Sequence, residues 1–399
     1  MNLLTKAYCR TFQTVMRLAL PLLPYRTPEI INHVKELPDI LQKQKITQVL
    51  IVTDAGISHA GLLTPLTQAL ARGQIRYSIY DKTVANPTTD NVAEAAALYH
   101  RQNCTGIIGM GGGSSIDCAK AVGAQIAKPR QPLSKMKGIL KIHRRIPLLI
   151  AIPTTAGTGS ETTLAAVITD SKTRHKYAIN DFPLIPRYAV LDSKFTLSLP
   201  PALTATTGMD ALTHAVEAYI GRSTTKDTRK NALTAVQLIF ENLDTAYTHG
   251  SDKTARKNML LAAYEAGCAF TKSYVGYVHA VAHSLGGEYN VPHGLANAIL
   301  LPFVLEAYGE AIYPKLHQLA IAAGIATAET ESKIAARAFI QAIKDMKIRF
   351  GIGDTVKEIR EKDIPKLAHY AALEANPLYP VPVLMDEKEL ARFYRILSR

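Results

Sequence analysis

Cysteine is scarce in this 399-residue sequence and falls in no productive spacing. Cys9, Cys104, Cys118 and Cys268 form no CxxC pair, and no cleavable signal pattern precedes them. Disulfides are therefore not expected, and a reducing, cytoplasmic setting is. Long hydrophobic runs are also missing. The most apolar N-terminal stretch, residues 15–24, carries Arg17 and is broken by Pro21 and Pro24, well short of the roughly 20 apolar residues that span a bilayer. It reads as an amphipathic surface or interface segment, and no membrane span is expected. No internal repeat or low-complexity linker is found.

Acidic residues are outnumbered, 33 against 46 Lys and Arg, for a net charge of +13. Much of the excess lies in residues 128–145, where Lys128, Arg130, Lys135, Lys137, Lys141, Arg144 and Arg145 have no acidic neighbour. Such a run can steer an anionic cofactor or bind nucleic acid. Without interleaved aromatics or a nucleic-acid motif it is read as a solvated basic loop, and no nucleic-acid partner is expected.

The apolar content of 47% and the length together call for two domains, each with its own core. The first half alternates short β-rich runs (49–53, 77–80, 106–108, 148–152) with helical spacing of apolar residues (61–72, 92–101), the pattern of parallel strands joined by crossover helices. Ala85-Asn86-Pro87-Thr88 supplies a turn and a helix start. Beyond Leu199-Pro200-Pro201, alanine, leucine and long polar side chains dominate, and helical periodicity continues almost to Arg399.

Two glycine-rich turns follow predicted strands. Thr105-Gly-Ile-Ile-Gly-Met-Gly-Gly-Gly-Ser-Ser-Ile-Asp117 runs from a buried strand through glycines into a helix beginning near Ser114, where free amides and the helix dipole favour a phosphate. The third glycine of the dinucleotide fingerprint is absent, so a tight structural turn is an equal reading of this segment alone. A second turn, Thr154-Thr-Ala-Gly-Thr-Gly-Ser-Glu161, follows Ile150-Ala-Ile-Pro153. Two such loops at carboxyl ends of parallel strands make one ligand crevice.

In the second half, Asp210-Ala-Leu-Thr-His214 places two side chains on one helical face. His279-Ala-Val-Ala-His283 repeats the spacing, and His293 follows after an expected helix break at Gly286-Gly287. Three histidines in an apolar, alanine-rich setting are costly unless they have partners, and a metal is the economical one. Satisfied core histidines are the competing reading. One carboxylate with three neutral imidazoles suits Fe²⁺ or Zn²⁺ and leaves coordination positions open.

These motifs resemble the iron-containing (group III) alcohol dehydrogenases. The resemblance is carried by Gly111-Gly-Gly-Ser-Ser-Ile-Asp-Cys-Ala-Lys120, Pro153-Thr-Thr-Ala-Gly-Thr-Gly-Ser-Glu161, Gly208-Met-Asp-Ala-Leu-Thr-His-Ala-Val-Glu-Ala-Tyr219, and the stretch from His279 to Gly294, and runs from about Ile46 onward, through Asn376-Pro377. It implies an N-terminal α/β dinucleotide-binding domain with a parallel sheet (30–195), preceded by an extension (1–29). An all-α C-terminal metal-binding domain (196–399) would follow, a dehydroquinate synthase-like architecture with a cleft between the domains. Carried over residue by residue, Asp210, His214, His279 and His293 match the metal ligands, and His283 the catalytic histidine near the nicotinamide. Asp54, Asn86, Gly111, Gly112, Gly113, Ser114, Thr154, Thr155, Thr158 and Lys176 match the positions that hold NAD, and Phe270 belongs to the substrate wall.

Two departures qualify the match. The family usually opens with a strand carrying Phe-Gly-x-Gly, which residues 1–29 lack. Its usual Phe-Ser-Asn-Ala-Gly element is here Phe270-Thr-Lys-Ser-Tyr274, so substrate size does not transfer. The implied activity is hydride transfer between a small alcohol or aldehyde and NAD, with Fe²⁺ or alternatively Zn²⁺, in a homodimer or higher homo-oligomer. Two rivals remain open: a lyase of the dehydroquinate synthase kind that uses NAD transiently, and a catalytically silent metal- and nucleotide-binding subunit.

Overall fold

The chain opens in helix α1 (Leu3–Ala19), capped by Asn2, whose side chain accepts from the Thr5 amide at 2.8 Å. The computed structural model describes all 399 residues and resolves them into two units, Pro24–Leu199 and Met1–Leu23 with Pro200–Arg399. The first residues thus join the helical unit instead of standing apart as an extension. The reason is local. Arg10 donates to the carbonyls of Val381 and Pro382 at 2.7 and 2.8 Å, and Gln13 donates to that of Tyr379 at 2.7 Å.

In the α/β unit the strands are β1 (Glu29–Ile31), β2 (Gln48–Val52), β3 (Arg76–Tyr80), β4 (Gly106–Gly111), β5 (Gly138–Ile139), β6 (Leu148–Pro153), β7 (Ala165–Thr169), β8 (Lys176–Asn180) and β9 (Tyr188–Val190). Six form one parallel sheet in the order β1-β9-β6-β4-β2-β3. The helices are α2 (Leu37–Lys43), α3 (Ala55–His59), α4 (Thr64–Arg72), α5 (Thr89–Arg101), α6 (Gly113–Ala127) and α7 (Leu133–Met136).

Period-2 alternation divides the core into two layers. Leu50 and Val52 of β2 pack with residues of α5 and α6, whereas Val49 and Ile51 pack with residues of α2 and α4. Burial on both faces explains why β2, β4 and β6 read as unbroken apolar runs. Strands β1, β5 and β9, of two or three residues, carry too little pattern to be read from sequence, and β7 and β8 only alternate buried with half-buried or exposed side chains over five residues, without the unbroken apolar run of β2.

From β2 the chain proceeds to β3 on one side and to β4 on the other, so the order reverses at β2. The carboxyl ends of strands at such a point form the ligand crevice of open α/β sheets.

Nine helices make up the rest of the helical unit: α8 (Pro201–Ile220), α9 (Lys226–Thr248), α10 (Lys253–Ser273), α11 (Tyr277–Tyr289), α12 (His293–Tyr308), α13 (Tyr313–Ala322), α14 (Ser332–Arg349), α15 (Ile364–Ala375) and α16 (Glu387–Leu397). Every residue of α8 from Gly208 to Ile220 is buried. Apolar character on all sides marks a core helix. His293–Ala322 is long and apolar enough to cross a membrane by length and composition, but 61% of its most apolar window is buried in the protein and the run breaks at Gly309, with φ of 54°.

The expected break at Gly286-Gly287 is not there. Helix α11 continues to Tyr289 and ends at Asn290, whose left-handed φ of 55° terminates it. Two interior glycines cost about 1 kcal/mol each, and the packing of α11 against α12 and α15 outweighs that.

One buried cation braces the second glycine turn. Lys120 on α6 is fully buried and donates to Ser160 Oγ, Thr163 Oγ1 and the Ala165 carbonyl at 3.2, 2.7 and 2.8 Å. Burial lowers its pKa to about 8, opposed by the charges of Asp117 and Glu161. Lys120→Met nearly preserves volume but leaves those carboxylates without their counter-charge. We expect a loss of about 3–5 kcal/mol in urea unfolding, whereas Leu50→Met should cost under about 1.5 kcal/mol.

Candidate metal centre and nucleotide-binding turns

Four donors from three helices converge inside the helical unit. Asp210 and His214 lie one turn apart on α8, His279 is on α11, and His293 is the first residue of α12. One donor atom from each lies within 4.8 Å of the others. Asp210 stands 4.0 Å from His214 Nδ1, 4.0 Å from His279 Nε2 and 3.5 Å from His293 Nε2. These separations are too long for strong hydrogen bonds. They suit neighbouring corners of a coordination shell with bonds of about 2.1 Å.

The chain brings His293 there by a close helix contact. A Cβ on Gly294 would sit 2.6 Å from the Thr206 carbonyl oxygen, so only glycine lets the start of α12 lie against α8 next to Asp210. Asn297, one turn further, donates to Asp210 Oδ1 at 2.7 Å and approaches His293 Nε2 at 3.1 Å.

The chemistry of the cluster is set by Glu217, a buried carboxyl on α8. It accepts from the amides of Gly276 and Val278 at 2.9 and 2.8 Å, capping the start of α11, and lies 2.6 Å from His279 Nδ1. Burial pushes this carboxyl up to about 7, and the amide donors oppose the rise. Burial, and then the neighbouring His214, His293 and His283, hold the His279 imidazole well below its ordinary pKa and hence neutral. With the Nδ1 proton given to Glu217, His279 Nε2 carries a lone pair. That buried atom has no hydrogen-bond partner, as expected of a nitrogen that faces a cation.

The turn feeding α11 is strained. Tyr274 takes φ of 62° and ψ of −177°, a region essentially reserved for glycine and held only where the surroundings over-determine it. Two residues later the chain presents the amides that grip Glu217.

His283 lies outside the four-donor cluster. Its side chain is 39% exposed, its Nδ1 is 2.6 Å from Glu374 Oε1, and its ring stacks on that of His293 at 5.1 Å. Burial would raise the Glu374 carboxyl, but the facing His283 and the Tyr379 hydroxyl, donating at 2.6 Å, bring it below its usual value. Phe270, on α10, stacks on His214 with centroids 4.2 Å apart.

In the α/β unit, Asp54, Gly111 to Ser114 and Thr154, Thr155 and Thr158 lie at the carboxyl ends of β2, β4 and β6 or just after them, while Asn86 lies in the loop after β3 and Lys176 opens β8. Asp54 caps α3 by accepting from the Ile57 amide at 3.0 Å, and its other oxygen accepts from Ser115 Oγ at 3.0 Å. Gly111 has φ of 146°, and a Cβ there would lie 2.5 Å from Ser115 Oγ; its carbonyl accepts from the Thr154 amide at 3.0 Å. The α-carbon faces of Gly112 and Gly113 turn toward Thr155 and Thr158. Asn86 receives Lys176 Nζ on its Oδ1 at 2.6 Å and donates its amide to Ser114 Oγ at 3.3 Å. Helix α6 starts at Gly113 with no side-chain cap, which leaves its first amides to a ligand.

Glu217, Asn297, Glu374 and Tyr379 were not anticipated. A signal existed for Glu217: a lone carboxylate within the apolar run Leu212 to Ile220 is costly unless something pairs with it. Asn297 follows His293 at helical spacing, but nothing local marks Glu374 or Tyr379.

A parallel α/β unit with glycine turns at the sheet's reversal point, alongside a helical unit with a carboxylate and three histidines, describes a nucleotide- and metal-dependent enzyme architecture. The family model described as iron-containing alcohol dehydrogenase matches residues 30–193, and that of the Fe-containing alcohol dehydrogenase family, C-terminal, matches 204–397. The 1,3-propanediol dehydrogenase of Klebsiella pneumoniae is 36% identical over 372 residues, 92% of this chain and 95% of that one. The NAD-dependent methanol dehydrogenase of Bacillus methanolicus is 34% identical over 350 residues, covering 86% and 92%. A crystal structure of a 1,3-propanediol oxidoreductase superposes with a TM-score of 0.88 at 34% identity, covering 93% and 97%. The chain belongs to the iron-containing alcohol dehydrogenase family.

Glu217→Gln keeps the size of the side chain but provides one carbonyl oxygen for three donors. We expect Fe²⁺ affinity to fall by about 10–100-fold in an anaerobic titration, with helicity by circular dichroism unchanged. An affinity equal to the parent's would mean that Glu217 does not orient His279.

Proposed function

We propose that this chain is a metal-dependent oxidoreductase that moves a hydride between a small alcohol or aldehyde and NAD. The observation that carries this reading is the buried, neutral His279, with its Nε2 lone pair directed at Asp210 and its Nδ1 held by Glu217. Asp210, His214, His279 and His293 are the proposed ligands of a divalent ion, Fe²⁺ by family and donor set, with Zn²⁺ equally compatible in its ligand types. When bound, such an ion supplies a positive charge that acidifies an alcohol hydroxyl or polarises a carbonyl. NAD supplies the hydride acceptor.

The remaining steps fall to the chain's own groups. Glu217 fixes the tautomer of His279, and Asn297 orients the Asp210 carboxylate. Partly exposed His283 exchanges protons with solvent, while Glu374 on its Nδ1 fixes the ring and stabilises the imidazolium when it forms. Phe270 presents an apolar ring beside His214, a surface that favours a small, uncharged substrate. Four buried cysteines outside any disulfide support a reducing, cytoplasmic setting, and we include assembly into a homo-oligomer in the reading.

Asp54, Asn86, Gly111 to Ser114, Thr154, Thr155, Thr158 and Lys176 are the proposed NAD contacts. Asp54 closes β2 beside the Gly111 turn, where its carboxylate can accept from a ribose 2′-hydroxyl and repels a 2′-phosphate.

The test is an anaerobic assay of the Fe²⁺-loaded protein against a panel of primary alcohols. Net NADH formation is expected; NAD consumed and returned without net reduction would favour the lyase reading, and no turnover with metal and NAD both bound would favour a silent subunit. Comparing kcat/KM for NAD and NADP should show a preference for NAD that narrows in Asp54→Gly. Equal use of both coenzymes by the parent would remove Asp54 from this role.

A further inference from the structure

Helix α1 buries one face and leaves the other bare. Cys9, Gln13 and Leu20 point into the helical unit, and Arg10 and Gln13 fasten the helix to the segment 377–382. Outward lie Leu4, Tyr8, Thr11, Val15 and Leu18, and then Leu22 on the 3-10 turn that follows. Of these, Leu4 is 83% exposed, Tyr8 61%, Val15 59%, Leu18 71% and Leu22 86%, with Leu3 beside them at 82%.

The spacing of these outward residues is four, three, four, three and four, the alternation of a coiled-coil seam. The positions flanking it are Thr5, Phe12 and Ala19 on one side and Ala7 and Thr14 on the other, none of them charged. The cations Lys6, Arg10 and Arg17 lie around the opposite side of the helix. A helix that lies in a membrane surface keeps its cationic face free in water, whereas here the side opposite the stripe is packed on the helical unit through Cys9, Arg10 and Gln13. Neutral flanks, small except at Phe12, allow another helix to approach without charge repulsion.

The size of the patch points the same way. The five large side chains of the stripe, Leu4, Tyr8, Val15, Leu18 and Leu22, present on the order of 600 Å² at these exposures, the upper end of the largest patch on an ordinary monomer and the greater part of the ~800 Å² each partner buries in a standard interface.

From the spacing, the neutral flanks and the area, we infer that the α1 stripe is a self-association seam and that its occupant is the α1 helix of a second copy of this chain. The contact is two-fold, each copy offering the same patch. Run antiparallel, the two helices set Leu4 against Leu22, Tyr8 against Leu18 and Thr11 against Val15. Every seam residue then meets another, and the helix dipoles oppose one another.

Sedimentation velocity of the full chain at micromolar concentration tests this. Leu18→Glu and Tyr8→Lys each place a charge in the seam, and each should halve the mass of the parent assembly, with circular dichroism unchanged because both positions are exposed. Lys6→Glu, on the far side, should leave the parent mass intact. Mixing Leu18→Glu with Tyr8→Lys should restore association, since the antiparallel register opposes the two altered positions. A monomeric parent, or variants that sediment like the parent, would overturn the inference. Failure of the mixture to reassociate would overturn the register. Binding of the parent to anionic phosphatidylserine vesicles that is lost in Leu18→Glu would make a membrane the occupant instead.

Discussion

The helical unit depends on the contact between Glu217 and His279. A carboxyl buried among apolar residues is costly unless several donors meet it. Here two amides at the start of α11 and an imidazole N–H all converge on it. The same interaction therefore joins α8 to α11, caps a helix and decides which nitrogen of His279 carries the proton. Removing any part of it disturbs the others, so the strained backbone at Tyr274, which delivers those amides, is tolerated. The metal centre is the surface expression of this buried arrangement, with Asp210, His214 and His293 placed around the nitrogen that Glu217 has prepared.

The α/β unit solves a parallel problem by a different route. Its proposed NAD contacts lie mostly on turns, which are mobile unless anchored. The first turn is closed by Gly111, whose φ no other residue takes easily, and by Asp54 accepting from Ser115. The second is held from beneath by Lys120, a buried cation that donates to the oxygens of Ser160, Thr163 and Ala165 and stands 3.9 Å from the Asp117 carboxylate. Basic charge in residues 128–145 is spent partly on the protein itself: Lys128 donates to the Lys141 carbonyl, and Lys137 meets His175. That usage fits a loop closing on its own unit.

Much of this was legible in the sequence because the signals were local or periodic. Strands β2, β4 and β6 announce themselves as buried apolar runs and β3 by its β-favouring residues, and the spacing of four in Asp210–His214 and in His279–His283 survives in each case as neighbouring turns of one helix. What failed had no local signature. Strands β7 and β8 form an antiparallel hairpin across residues 170–175, and their five-residue runs alternate buried with half-buried or exposed side chains too briefly to stand out. Gly286-Gly287 reads as a break, yet tertiary packing carries α11 through it. Glu374 reaches His283 across 91 residues, a distance no periodicity spans. The fate of the first 23 residues likewise rests on carbonyls of 377–382 that the sequence cannot place beside Arg10 and Gln13.

The central claim, that four side chains preorganised by Glu217 hold one divalent ion while His283 stands outside the shell, is tested most directly by iron content. Protein reconstituted anaerobically with Fe²⁺ and freed of excess metal should retain one ion per chain. His283→Ala should retain the same amount, and His279→Ala should lose most of it, because the remaining donors cannot complete the shell. Full iron in His279→Ala, or loss of iron in His283→Ala with His279 intact, would contradict the account.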